Sequence, residues 1–291
     1  MSRALVLGGG GPVGVAWETG LLAGLAEAGV DVGDADRIVG TSAGSVVGAH
    51  LARGDSLATL MSEPDRNVVA PPEDVVVPAV DPTSMATLGM AIFEALTGAR
   101  PHAEIVKDIG ALALGAETID EEAFVAMPGA GLGPEWPGHG FACTAYDAES
   151  GSFTVWDEAA GAPLDRAVAS SCAVPGLFPP ITIAGRRYMD GGVISGTNCP
   201  LAAGHDRVLV VSVMSNAVPG AAEFLRVPLL AEIEALEAEG ATVELVEFDD
   251  ASVAAGGGNL LAFSRDVVSA VGATGLAQGR VEAERIGALW G

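Results

Sequence analysis

The chain has 291 residues, 40 of them Gly, and carries 38 acidic against 14 basic side chains for a formal net charge of -24. That length makes one large domain or two small ones, and 49% hydrophobic with 18% charged residues describes a globular protein, not an acidic disordered tail. The acidic excess excludes a nucleic-acid surface, which needs clustered cations, and disfavours docking onto anionic lipid while leaving apolar insertion into a membrane open.

Residues 4–7, Ala-Leu-Val-Leu, read as a short apolar strand that runs straight into glycines at Gly8. This run is too short for the apolar core of a signal peptide. From Gly14 to about residue 28 apolar side chains recur at helical spacing, through Val15, Leu21, Leu22 and Leu25, and stop at Gly29. A second strand over 37–39 enters Gly40-Thr-Ser-Ala-Gly44, and another helix runs from there to about residue 53. The strand–helix–strand–helix alternation predicts an α/β fold, with a mainly parallel central sheet between helical layers in an α/β/α sandwich. Residues 55–82, rich in Pro and acidic side chains, read as an irregular connection.

Helical patterns follow over 84–96, 101–114 and 119–127, and residues 129–140 form a loop dense in Gly and Pro. Residues 141–147 and 152–156 pair as a β-hairpin across Glu149-Ser-Gly151. Pro163 opens a helix that must stop before Pro175. Two short strands, 181–183 and 187–189, turn at Ala184-Gly185. The unbroken apolar run over 207–214 is the pattern of a strand buried on both faces. Helix, strand and helix then follow over 223–238, 242–248 and 275–290. The uncharged runs 4–17 and 167–185 imitate membrane spans, but the first is too short and the second is broken by Pro175, Pro179 and Pro180. With no repeat and no linker composition, one domain over 1–291 is the expected organisation, with about 55–140 as a variable lid or acyl-binding insertion. Cys143, Cys172 and Cys199 have neither disulfide nor zinc spacing and suit reduced thiols in a cytoplasmic protein.

Three glycine-bearing turns could carry chemistry. Gly9-x-Gly11-x-x-Gly14 lies between a strand and a helix, and Asp31 stands about where a ribose-binding acid would in a dinucleotide fingerprint. That acid belongs at the end of the second strand, which instead ends at Gly40. No Gly-Lys-Ser/Thr follows, so a P-loop is excluded. More generally, such a turn aims backbone N–H groups at an anion, including the oxyanion of a tetrahedral intermediate. Gly40-Thr-Ser42-Ala-Gly44 is a Gly-x-Ser-x-Gly turn at a strand–helix junction, which exposes a serine hydroxyl beside a helix N-terminus. A base for Ser42 could be a histidine or a carboxylate. His50 sits in the same helix as Ser42, and His102 and His139 sit in connecting segments. His205, before the buried strand, is the best histidine for a Ser-His-Asp triad. Asp190, in Tyr188-Met-Asp190-Gly-Gly192, ends a strand before two glycines that let its carboxylate approach another loop.

The ordered set Gly9-Gly-Gly-Pro-Val-Gly14, Gly40-Thr-Ser-Ala-Gly44 and Asp190-Gly-Gly192, with 169–180 between the last two, resembles the patatin-like phospholipases. The resemblance covers residues 4 to about 213. It implies a serine acyl-ester hydrolase with a Ser42–Asp190 dyad and an oxyanion loop at Gly9, Gly10 and Gly11, to which Ala43 could add its N–H. It also implies no cofactor and no metal. The expected substrate is a lipid ester (phospholipid, lysophospholipid or acylglycerol), met through apolar contact that allows transient membrane association; the oligomeric state is not readable. The family usually carries Arg or Lys before the last glycine of the first motif, where this chain has Val13, and Pro12 has no N–H to donate. Residues 85–96, with Leu88, Met90, Ile92 and Phe93, could wall the acyl groove or pack as ordinary core. The competing expectations are a Ser-His-Asp esterase using His205 and a catalytically silent lipid- or nucleotide-binding module.

Overall fold

The computed structural model describes residues 1–62, 81–138, 140–217 and 222–291. Its strands are β1 (Arg3–Leu7), β2 (Arg37–Gly40), β3 (Phe141–Asp147), β4 (Phe153–Trp156), β5 (Ile181–Ile183), β6 (Arg186–Asp190), β7 (Arg207–Ser212) and β8 (Thr242–Glu247). The helices are α1 (Gly11–Glu27), α2 (Ala43–Ala52), α3 (Leu57–Ser62), α4 (Pro82–Thr97), α5 (His102–Gly115), α6 (Glu121–Val125), α7 (Leu164–Ser171), α8 (Met214–Ala217), α9 (Ala222–Ala238), α10 (Asp250–Gly256) and α11 (Arg265–Trp290). All eight strands join one sheet. Strands β3, β2, β1, β7 and β8 run parallel in that order, and β4, β6 and β5 add antiparallel pairings at the β3 end.

Both faces of the parallel region are buried, as the unbroken apolar strands require. Alternate residues divide between two cores. Leu5, Leu7, Ile38, Leu209 and Val211 pack with α1, α2 and α11, while Ala4, Val6, Val39, Val208 and Val210 pack with α9 and the short turn at Cys199–Ala202. The chain is therefore a three-layer α/β/α sandwich. A third cluster joins α4 and α5 to the antiparallel end, where Leu88, Ile105 and Ile109 meet Met189 and Val193. No described helix is long and apolar enough to cross a membrane.

Several boundaries differ from those the pattern suggests. Helix α1 begins at Gly11, three residues before Gly14, because Pro12 sits in its first turn, where a missing N–H costs nothing. Helix α11 begins at Arg265, not near 275. Its first ten residues include charged and small side chains and lack a clear apolar stripe, but packing against α1 supports the helix there. Most of the irregular connection expected over 55–82 lies outside the described residues; its start is helical, as α3.

Helices α1 and α11 approach each other closely. A Cβ on Gly24 would lie 2.3 Å from the carbonyl oxygen of Leu276, and one on Gly279 would lie 2.1 Å from that of Leu21. Backbone occupies the space a side chain would need, so substitution must separate the helices. Gly279→Leu is expected to cost more than about 2 kcal/mol in chemical denaturation. Gly115→Ala, at an open helix end with nothing within 4 Å of the new Cβ, should change stability by less than about 1 kcal/mol. Equal unfolding midpoints for the two variants would contradict this account of the helix contact.

Candidate active site

The site is assembled where β1, β2 and β6 end. After β1, Gly8 donates its N–H to the carbonyl of Val211 (3.0 Å) and Gly9 donates to that of Gly196 (2.8 Å). Helix α1 starts at Gly11, which has φ +58°, and a Cβ there would lie 2.5 Å from the Leu260 carbonyl oxygen. A Cβ on Gly10 would lie 2.8 Å from the Cα of Gly14. Only glycine fits these two positions.

After β2, Thr41 donates its N–H to the Leu7 carbonyl (3.0 Å), and Ser42 turns the chain into α2 with φ 52° and ψ −117°. A non-glycine residue in this region carries strain of about 1–3 kcal/mol and needs support from its surroundings. That support is specific. The Ser42 N–H donates to Ser171 Oγ at 3.0 Å, and the Ser42 carbonyl accepts from Ser45 Oγ (2.6 Å) and Cys172 Sγ (3.3 Å). The flanking glycines are sterically required, since a Cβ on Gly44 would lie 2.2 Å from the Leu7 carbonyl oxygen.

Strand β6 brings in Asp190. Its backbone N–H donates to the Ala173 carbonyl (3.0 Å) and its Oδ1 accepts the Gly192 N–H (2.7 Å). Ser42 is 8% and Asp190 5% exposed, so the pair is nearly closed to bulk water. Burial pushes the Asp190 carboxyl up to about 7; the Gly192 N–H and the neighbouring Ser42 hydroxyl favour the charged form but only partly offset the loss of water.

Among the residues read from the sequence, the structure gathers Ser42, Asp190, Gly10, Gly11 and Ala43. The N–H groups of Gly10, Gly11 and Ala43, at the starts of α1 and α2, have no acceptor among the described residues. Gly9 differs from the expectation that it adds a free donor, because its N–H is already given to Gly196. The histidines lie elsewhere. His205 precedes β7 at the end of the sheet marked by Arg3 and Arg37, opposite the end that Ser42 follows. Five residues of strand, about 17 Å, separate those ends, which removes the His205 triad. His50 bonds Asp55 at 2.8 Å, His102 contacts the Ala95 carbonyl at 3.1 Å, and His139 lies outside the described residues. No group of three or more His, Cys, Asp or Glu that could hold a metal occurs among the described residues.

Two supporting residues were not legible as such. Ser171 falls within the 169–180 run but gives no sign of its bond to the Ser42 backbone. Asn198, buried and left-handed at φ 51°, places its Nδ2 within 2.9 Å of Thr41 Oγ1, 3.3 Å of Thr144 Oγ1 and 3.1 Å of the Gly191 carbonyl. It ties the serine turn to the Asp-Gly-Gly turn. The left-handed tolerance of Asn is a sequence signal, but the partners of its amide are not.

A family model, patatin-like phospholipase, matches residues 5–203. The chain belongs to the patatin-like phospholipase family. No curated protein matches it. Among solved structures, it is similar to VipD from Legionella pneumophila, at 13% identity and TM-score 0.47, over 98% of this chain and 66% of that one. It is also similar to the type III effector protein ExoU, at 15% identity and TM-score 0.41, over 98% of this chain and 53% of that one. The chain thus spans just under two thirds of the first and about half of the second. The patatin-like match contains all three glycine-bearing turns and Asn198, while α9, β8, α10 and α11 lie beyond it.

Part of the chain beyond that match also reaches Ser42. Val13, where the family usually has a cation, donates its N–H to the Leu260 carbonyl (3.4 Å), so a loop between α10 and α11 braces the glycine turn. The same loop brings Leu261 and Phe263 to an apolar cleft beside Ser42, opposite Phe124, Met127 and Phe178. The 85–96 helix does not line this cleft. Leu88 is buried in the α4–α5 core, whereas Ile92 and Phe93 line a separate cavity.

Because the folded value of Asp190 lies above that of an unfolded aspartate, the folded chain holds this proton more tightly. The stability it contributes is full below about pH 4 and is lost as pH rises through about 7. Asp190→Asn cannot ionise and keeps an acceptor for the Gly192 N–H. It should be more stable than the natural chain at about pH 8, by on the order of 4 kcal/mol at most, read as a higher melting temperature, with the gap closing towards pH 4. An equal or lower melting temperature at the higher pH would count against a desolvated carboxyl.

Proposed function

We propose that the chain is a serine acyl-ester hydrolase acting on lipid esters through a Ser42–Asp190 dyad. The observation that carries the reading is the placement of a strained, buried serine beside a desolvated carboxyl, with unspent backbone N–H groups at two helix starts. Membership of the patatin-like phospholipase family supports the same chemistry.

In this reading Ser42 Oγ attacks the ester carbonyl carbon while its proton passes to Asp190. An ordinary aspartate is a weak base towards an alcohol; raising its value to about 7 narrows that mismatch while leaving much of it ionised near neutrality. The carbonyl oxygen becomes an oxyanion stabilised by the N–H groups of Gly10, Gly11 and Ala43, aided by the positive ends of α1 and α2. Collapse breaks the bond to the alcohol oxygen, which takes the proton from Asp190 and leaves an acyl-serine. Water then attacks the acyl carbon, giving its proton to Asp190, which returns it to Ser42 Oγ as the acyl–oxygen bond breaks and the carboxylic acid leaves. The apolar cleft of Val15, Val46, Phe124, Phe178, Leu261 and Phe263 receives the acyl chain.

Ser42→Ala and Asp190→Asn should each lower kcat/KM on a p-nitrophenyl ester by about a thousandfold or more, with His205→Ala unchanged. A fluorophosphonate probe should label the natural chain and not Ser42→Ala. A chain that neither labels nor turns over esters would be a binding protein. The rate should rise with pH through an apparent value near 7, since the base works only when deprotonated. Phe263→Ala and Leu261→Ala should raise turnover of long-chain relative to short-chain esters, as seen in competition assays; an unchanged ratio would place the acyl chain elsewhere.

A further inference from the structure

A second cavity, of about 450 Å³, lies across the Gly9–Gly196 backbone pair from Ser42 and falls in the size range of small-molecule sites. Its walls are apolar, with Ile92, Phe93 and Leu96 from α4 facing Phe224, Leu225 and Leu229 from α9. Phe93 and Phe224 stack with ring centroids 4.9 Å apart, and both remain exposed.

The floor is polar and incompletely satisfied. Glu232 Oε2 accepts from Ser195 Oγ (3.1 Å), Thr197 Oγ1 (3.5 Å) and Cys199 Sγ (3.4 Å), whereas Oε1 has no donor among the described residues. Ser215, also lining the cavity, is 2% exposed, and its Oγ is buried without a partner. A buried hydroxyl without a hydrogen bond costs stability, so it marks a position that a ligand could satisfy. A carboxylate only accepts hydrogen bonds and repels another anion.

From these observations we infer that the cavity binds a single-chain amphiphile whose head donates hydrogen bonds and is not anionic, a hydroxyl or an ammonium group on an alkyl chain. The head sits against Glu232 Oε1 and Ser215 Oγ, and the chain lies between α4 and α9. A free fatty acid is excluded by its own carboxylate. This site is independent of the hydrolase reading, since it needs neither Ser42 nor turnover. Glu232 and the α9 wall lie outside the span matched by the family model.

The test is calorimetric titration of the full chain with octylamine, 1-octanol and octanoate at fixed ionic strength. None of the three is an ester, so hydrolysis does not enter. At least one of octylamine and 1-octanol should bind at one site, with octanoate weaker than that compound by about tenfold or more; whichever binds tighter names the natural head. Glu232→Gln should weaken that compound by about tenfold, a change of one charge in a chain of net -24, which separates local recognition from general attraction of cations. Ile92→Trp, on a half-buried wall, should weaken it by filling the cavity, with Leu96→Trp as a second plug if the first variant does not fold. Octanoate binding as tightly as the other two, or unchanged affinity in Glu232→Gln or in a folded plugged variant, would overturn the assignment.

Discussion

Strand β3 has only two edges, and this limit organises the site. Strand β4 occupies one edge along 143–146, so β2 and β6 must share the other. Strand β2 pairs with the first part of β3, ending with Gly40 opposite Cys143, and β6 pairs with the second part, placing Asp190 opposite Ala145. The Asp-Gly-Gly turn is therefore delivered just beyond the end of β2, where the Ser42 turn leaves the sheet. Thr41, Thr144, Gly191 and Asn198 then close around that junction with one amide reaching all three neighbours.

The same junction sets the electrostatics. Asp190 is far from ordinary aspartate behaviour because the sheet edge and the α7 end exclude water from it, and because its charged form is supported mainly by one backbone N–H. Strain at Ser42 and desolvation at Asp190 both oppose folding, and the surrounding hydrogen bonds and close glycine packing hold them in place. Such local costs are what the proposed Ser42–Asp190 chemistry requires.

The strands and the glycine turns are legible because their signals are local. A short apolar run followed by glycine marks β1, and Gly40-Thr-Ser-Ala-Gly44 marks a sharp strand-to-helix turn. Helix α11 is less legible at its start, since residues 265–274 acquire their helical support from α1, more than two hundred positions earlier. The loop around Leu260 is the clearest omission. It braces the glycine turn and lines the Ser42 cleft, yet nothing in Gly257-Gly-Asn-Leu-Leu261 says which distant turn it will cover. The availability of the Gly9 N–H is hidden for the same reason, because its acceptor, Gly196, comes from another loop.

Sequence alone determines the α/β alternation, the two buried faces of β7, and the serine, aspartate and glycine turns that point to the patatin-like family. These follow from residue type, periodicity and the backbone freedom of glycine, all of which act within a few residues of one another. Tertiary structure alone decides that Asp190 meets Ser42 while His205 lies at the far end of the sheet. It also decides which N–H groups remain unspent and that the apolar cleft beside Ser42 is walled by Phe124 and Phe263, not by α4. Those outcomes depend on strand register and on which surfaces exclude water, and both arise only when distant segments compete for the same edges and faces.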